Sequence, residues 1–257
     1  MELVILCLTA LIASLLTFFS GFGLGTILTP VFAIFFPIEV AIVLTGVVHF
    51  LNNIFKLALV GSQANKAVII KFGLPAFFAA LVGAYLLLKL GDLEPLYSYT
   101  ISDTEFVITP IKLVVAVLLI FFSLMEVVLP LKNMQFGKNL LFAGGLLSGF
   151  FGGLSGNQGA LRSAFLLKAG INKESFIATA VVIACIIDFS RLGVYFTRFS
   201  ESGIHENLTL VTAATVSAFV GAFAGSRLLK KVTMASIRII VTIMLIILSI
   251  ALGLGLV

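Results

Sequence analysis

The stretch 148–163, Ser-Gly-Phe-Phe-Gly-Gly-Leu-Ser-Gly-Asn-Gln-Gly-Ala-Leu-Arg-Ser, constrains the fold more than any other part of the chain. It lies between long apolar runs, yet residues 149–159 hold five glycines in eleven positions. Glycine disfavours continuous helix. The same stretch carries Ser, Asn, Gln and Arg, and irregular polar backbone at membrane depth survives only where protein buries it or where it lines a cavity. A shorter relative, Ser20-Gly21-Phe22-Gly23-Leu24-Gly25-Thr26, stands near the N-terminus. The two breaks are expected to meet and form a solute site.

The setting is a membrane. The 257 residues are 61% hydrophobic and 11% charged, and the mean hydropathy is +1.24. Soluble domains average roughly 25% charged. Apolar segments recur at about 3–19, 25–36, 40–61, 67–88, 110–130, 139–151, 159–168, 174–197, 208–229 and 234–257. The start, Met1-Glu2-Leu3, has no basic region ahead of its apolar run and reads as a retained segment rather than a cleaved signal. Cys7 and Cys185 both fall inside apolar segments, so neither a disulfide nor a metal framework is expected. The net charge of +5 is scattered at segment ends and is no nucleic-acid footprint.

Crossing the hydrocarbon takes roughly 20 helical residues. The segments 25–36, 139–151 and 159–168 are too short alone. If each glycine-broken pair is a bent or re-entrant hairpin returning to its own side, ten basic residues fall inside: Lys66, Lys71, Lys132, Lys138, Lys168, Lys173, Arg227, Lys230, Lys231 and Arg238. Only Lys89, Lys112 and Arg198 then lie outside, with Asp92, Glu94, Asp103, Glu105, Glu201 and Glu206. The positive-inside rule favours this arrangement over eight straight spans. Both termini are then expected outside an inner membrane.

The expected fold is therefore an all-α, polytopic membrane protein. Two inverted repeats, 1–130 and 131–257, each hold one glycine-broken hairpin and three transmembrane helices. Short matches in common order support a repeat: Gly25-Thr26 with Gly159-Ala160, Glu39 with Glu174, Asn53 with Asp188, Lys56 with Arg191, Gly83-Ala84 with Gly221-Ala222, and Ser123 with Ser249. The polar connection 89–109 is either a solvated loop or a small outer hairpin carrying Tyr97, Tyr99, Ile101 and Phe106. Gly221 and Gly225 form a G-x-x-x-G spacing, read as close helix packing.

Arg162 is the most informative single residue. It stands six positions before Lys168, roughly 9 Å into the membrane region at about 1.5 Å per residue. It either binds an anion with its planar fork or snorkels to the surface. Helices starting near Gly25 and Gly159 would aim free N–H groups at the membrane centre. The candidate substrate-binding set is Gly21, Gly23, Gly25, Thr26, Ser155, Asn157, Gln158, Gly159, Arg162 and Ser163. Candidates for coupling or gating are His49, Asn52, Asn53, Asp188 and Arg191. His49 is either a proton relay or a hydrogen-bonded packing residue. Asp188 and Arg191, three apart, are either functional or a neutralised structural pair. No hydrolase, zinc-protease or phosphate-loop motif is present. No cofactor and no metal site are expected.

Ser20-Gly21-Phe22-Gly23-Leu24-Gly25 leading to Pro30, together with the run from Phe150 to Leu166, resembles the paired glycine-rich motifs of the TauE/SafE family of sulfite exporters. The likeness covers almost the whole chain. This chain has Gly23-Leu24-Gly25 and Asn157-Gln158-Gly159 where the family more commonly has Gly-Gly-Gly. The resemblance implies a carrier of small sulfur-containing anions such as sulfite, sulfoacetate or thiosulfate, bound at the polar glycine breaks. The partners expected are then a small anionic substrate and the lipid bilayer, with no nucleic acid; a homo-oligomer is compatible with this reading. Two other readings stand beside it: a carrier of a neutral solute or metal ion, and a non-transporting membrane scaffold.

Overall fold

The computed structural model describes residues 1–20, 24–127, 136–197, 207–228 and 234–257, with backbone alone at 19, 20, 126, 228, 234–238, 240 and 241. Every apolar segment of the sequence becomes a helix: α1 (Glu2–Ser20), α2 (Leu24–Ala33), α3 (Ile38–Val60), α4 (Lys66–Gly91), α5 (Pro110–Val127), α6 (Leu141–Ser155), α7 (Gly159–Leu166), α8 (Lys173–Tyr195), α9 (Leu208–Leu228) and α10 (Met234–Gly253). Among the described residues, α3, α4, α8 and most of α9 (Leu208–Arg227) are long and apolar enough to cross a membrane. The chain is a multi-pass helical membrane protein. Glu39 and Glu174 stand in the first turns of α3 and α8, where the helix dipole favours a carboxylate. A π-helical turn over Ile69–Gly73 precedes Pro75 in α4. It widens the helix where the proline ring would otherwise crowd the carbonyl four residues earlier.

Glycines set the two most intimate helix contacts. A Cβ on Gly145, Gly149 or Gly153 of α6 would strike the carbonyls of Phe72, Ala76 or Ala80 on α4, and one on Gly83 of α4 would strike Phe150. On the other side of the molecule, Gly221 and Gly225 of α9 lie against Leu11 and Leu15 of α1. In lipid, helices associate by such close backbone approach. This row also corrects the expected position of the second break. The helix runs through Gly149, Gly152 and Gly153 to Ser155, because Gly149 and Gly153 face α4. The chain turns only at 156–158, with Gly156 at φ 76°, a conformation that glycine adopts freely.

Contacts fix the helix directions. Ser14 bonds Asn52 and Phe18 meets Lys56, so α1 runs parallel to α3. Gly25 sits beside Thr45 and His49, so α2 returns along α3 toward Ile38. The α1–α2 pair is thus a hairpin open to the Ile38 end. The α6–α7 pair opens to the opposite end, where the Ala164 carbonyl accepts from Phe136 N at 3.2 Å and Phe136 stacks on Phe165. The hairpins meet: a Cβ on Gly25, at the start of α2, would lie 3.6 Å from the Gly156 carbonyl.

The connection 89–109 holds a β-hairpin rather than a plain loop. Strands β1 (Tyr97–Ile101) and β2 (Thr104–Ile108) pair antiparallel with Tyr99 opposite Phe106. Ser102 and Asp103 both have positive φ, as a two-residue hairpin turn requires. Tyr99 donates to the Leu254 carbonyl at 2.6 Å, which ties the hairpin to the end of α10.

Candidate functional site

Where Gly25 meets Gly156, α3 and α8 cross the bundle side by side and antiparallel. Asp188 of α8 is fully buried and ringed by donors. His49 Nδ1 donates to Oδ2 at 2.6 Å, Asn53 Nδ2 to the same oxygen at 3.2 Å, and Arg191 Nε to Oδ1 at 3.0 Å. Arg191 Nη2 also lies 2.9 Å from Oδ1. The Arg191 guanidinium fills the space left by two glycines. A Cβ on Gly156 would come within 2.7 Å of Nη1, and one on Gly46 within 3.4 Å of Cζ. Tyr195, one turn on, donates to the Gly153 carbonyl. Together these close the centre of the bundle toward the Tyr195 end.

On the other side of Asp188 is a small cavity. It has a free volume of about 40 Å³ and is lined by His49, Asn53, Lys56 and Arg162, with Thr17, Phe18 and Leu24 from the first hairpin and Phe176, Ile177, Ala180 and Val181 from α8. That is room for roughly three or four water-sized groups, at about 10–15 Å³ each. Lys56 and Arg162 are 5% and 6% exposed. Neither is seen paired with a carboxylate among the described residues: Asp188, the nearest buried one, is held by His49 and Arg191. Lys56 lies over the Phe18 ring at 5.4 Å, and Arg162 Nη1 donates to Gln158 Oε1 at 3.2 Å. Two buried basic side chains with no carboxylate in contact are costly to hold charged unless an anion joins them.

Arg162, His49 and Asn53 line the cavity. Arg162 does not snorkel, since its guanidinium is buried. Asn157 and Gln158 are 2% exposed; both amide atoms of Asn157, Gln158 Nε2, Arg162 Nε and Ser163 Oγ have no hydrogen-bond partner. Ser155 Oγ donates to the Phe151 carbonyl and accepts from Asn157 N, so it caps the end of α6. Gly159 opens α7. Gly25 and Thr26 are buried in α2, outside the cavity lining. Gly21 and Gly23 lie outside the described residues, as do Lys132, Arg198, Glu201, Glu206, Lys230 and Lys231 of the charge count. Asp188 and Arg191 pair as their spacing suggests, and the pair extends to His49 and Asn53. Asn52 takes its bond from Ser14 and faces α1.

Lys56 is the residue missing from the sequence-derived set. Standing four positions before the end of α3, it reads in sequence as a flanking lysine. Its one distinguishing sign is that it matches Arg191 in the other half. The long-range bond from His49 to Asp188, 139 positions apart, has no local signature at all.

The family model described as Sulfite exporter TauE/SafE matches residues 6–252. No curated protein and no solved structure matches the chain.

Proposed function

The chain belongs to the sulfite exporter TauE/SafE family, a family of membrane transporters, and from that premise we propose that it is a secondary carrier of a small sulfite-like or organosulfonate oxyanion. The observation that carries this reading is the pair of buried cations, Lys56 and Arg162, facing one small cavity without a carboxylate. The Asp188 charge is already taken by Arg191 and His49. Two positive charges remain for the solute, the balance a dianion supplies. The unpartnered amides of Asn157 and Gln158 offer further donors beside α7.

Inverted repeats 1–130 and 131–257 are part of the same proposal. Support comes from the hairpins, which open to opposite ends, and from their packing. The first helix of each hairpin lies on the fourth helix of the other half, α1 on α9 and α6 on α4. The equivalent pairs α3–α8 and α5–α10 lie side by side. Alternating access then follows as a rocking of the halves about the Gly25–Gly156 contact. The cavity lies on the side of that contact nearer the end that carries Lys66, Lys138, Lys168 and Lys173, read as cytoplasmic by the charge rule.

The test is thermal stability of the purified protein against a panel of sulfite, sulfate, thiosulfate, an alkyl sulfonate, neutral organosulfur solutes and divalent metals. At about hundredfold excess over Kd, a bound ligand raises Tm by roughly 5–10 °C. The expected outcome is a rise with oxyanions alone, lost in Arg162→Ala. A rise with neutral solutes or metals alone, or none with any, rejects the oxyanion reading.

A further inference from the structure

We propose that His49 is a proton-binding site coupled to the anion, so that solute and proton occupy the carrier together. The inference rests on the oxyanion cavity proposed above and adds the coupling ion. His49 belongs to two environments at once. Its Nδ1 is held by Asp188 at 2.6 Å, while its ring forms part of the cavity wall beside Lys56 and Arg162. The carboxylate is ionised, because Arg191 grips its other oxygen, so Nδ1 must carry the hydrogen. In the neutral ring Nε2 then bears the lone pair; Asn53 Nδ2 lies 3.1 Å from Nδ1 and 3.3 Å from Nε2. A proton taken up at Nε2 turns that nitrogen into a charged donor at the cavity wall. It also leaves Asp188 shared between two cations, His49 and Arg191.

The surrounding charges set the sign. From α8, Asp188 and Arg191 face the ring, with Cys185 one turn earlier; from its own helix comes Lys56, and from α7 Arg162. The described parts of α1 and α2 beside the ring contribute Thr17, Phe18, Leu24 and Gly25, none of them titratable. An empty cavity therefore sets the basic side chains of Lys56 and Arg162 against the imidazolium. An anion in the cavity reverses that balance. Anion binding recruits the proton, and by linkage the proton tightens the anion equally. The buried Asn53 amide, bonded to the same Oδ2, holds the ring in register.

The probes are sulfate and thiosulfate, whose charge does not change where imidazole titrates. Affinity is measured by calorimetry from mildly acid to mildly alkaline pH. Proton uptake is read with an indicator dye on adding sulfate to weakly buffered wild-type protein. We expect affinity to rise as pH falls, by at most about tenfold per pH unit for one linked proton, with up to one proton taken up per anion bound. His49→Gln should bind more weakly and with no pH slope. Lys56→Arg, which removes the neighbouring titratable amine while keeping its charge, should retain the slope. Oxyanion binding with a flat pH profile and no proton uptake overturns the proton site and leaves the oxyanion site standing. A slope that survives in His49→Gln, or vanishes in Lys56→Arg, also overturns it. No binding of either probe at any pH rejects the cavity reading and the proton site with it.

Discussion

Lys56 and Arg162 sit where a stable protein gains little by having them. Each is buried, each lacks a carboxylate, and a methionine of similar length would fit the Phe18 side of the cavity without a charge to desolvate. Replacing unpaired buried charge by apolar side chains is commonly neutral or stabilising. Lys56→Met is therefore expected to hold or raise Tm in anion-free buffer while lowering oxyanion affinity about 10–100-fold, the worth of one charge-assisted hydrogen bond of about 1.5–3 kcal/mol. A melting curve and a binding isotherm on the same sample check both halves. Asp188→Ala is expected to do the opposite. It strands Arg191 among Gly46, Gly156 and Tyr195, and it should cost about 3–5 kcal/mol of stability, read as loss of folded protein on size exclusion after mild heating. Of these residues Arg162 was the legible one, because an arginine amid Ser, Asn and Gln in an apolar sequence has few bland explanations. Lys56 was not, since one turn from a helix end a buried lysine and a snorkelling lysine look alike. The tie between His49 and Asp188 depends on how α3 and α8 cross, and only the fold contains that.

At the scale of helices, hydropathy alone delimited nearly every element to within a few residues; the second break was the exception. Composition marks glycines without saying which face they occupy. Gly145, Gly149 and Gly153, four apart, build a smooth helix face for α4 rather than a break, and the turn waits for Gly156 with its positive φ. Gly149→Val should push α6 away from Ala76 and leave little folded protein, and Gly221→Val should do the same between α1 and α9. Gly193, in α8, has nothing within 4 Å of where a Cβ would stand. Gly193→Ala is expected to stabilise by about 0.5–1 kcal/mol through helix propensity alone. Parallel thermal melts of the three variants separate packing from propensity. Equal losses in all of them would remove the close-approach argument. The hairpin 97–108 was undecidable in sequence between strand and loop, because its pairing depends on the two-residue turn at Ser102-Asp103 and on a dock for Tyr99 at the end of α10.

At the scale of the molecule, two hairpins enter from opposite ends and meet at Gly25 and Gly156, with the buried cations on one side of that contact and the Arg191–Tyr195 closure on the other. The charge bias that first suggested returning hairpins reappears as two unlike ends. Lys66, Lys138, Lys168 and Lys173 gather at one, and Glu39, Glu94, Asp103 and Glu105 at the other. With Cys7 and Cys185 replaced, a cysteine introduced by Ser102→Cys should react with an impermeant thiol reagent in whole cells, and one introduced by Lys168→Cys should not; the reverse pattern would invert the proposed orientation. Those readings converge on one claim, that a small oxyanion passes through the cavity between the breaks. Its most direct test is flux of labelled sulfite into proteoliposomes holding the wild-type protein or Arg162→Ala, with folding of both checked by size exclusion. Saturable uptake above empty vesicles is expected, competed by sulfonates and reduced at least about tenfold in the variant. Uptake equal to empty vesicles, or unchanged by the loss of Arg162, would contradict it.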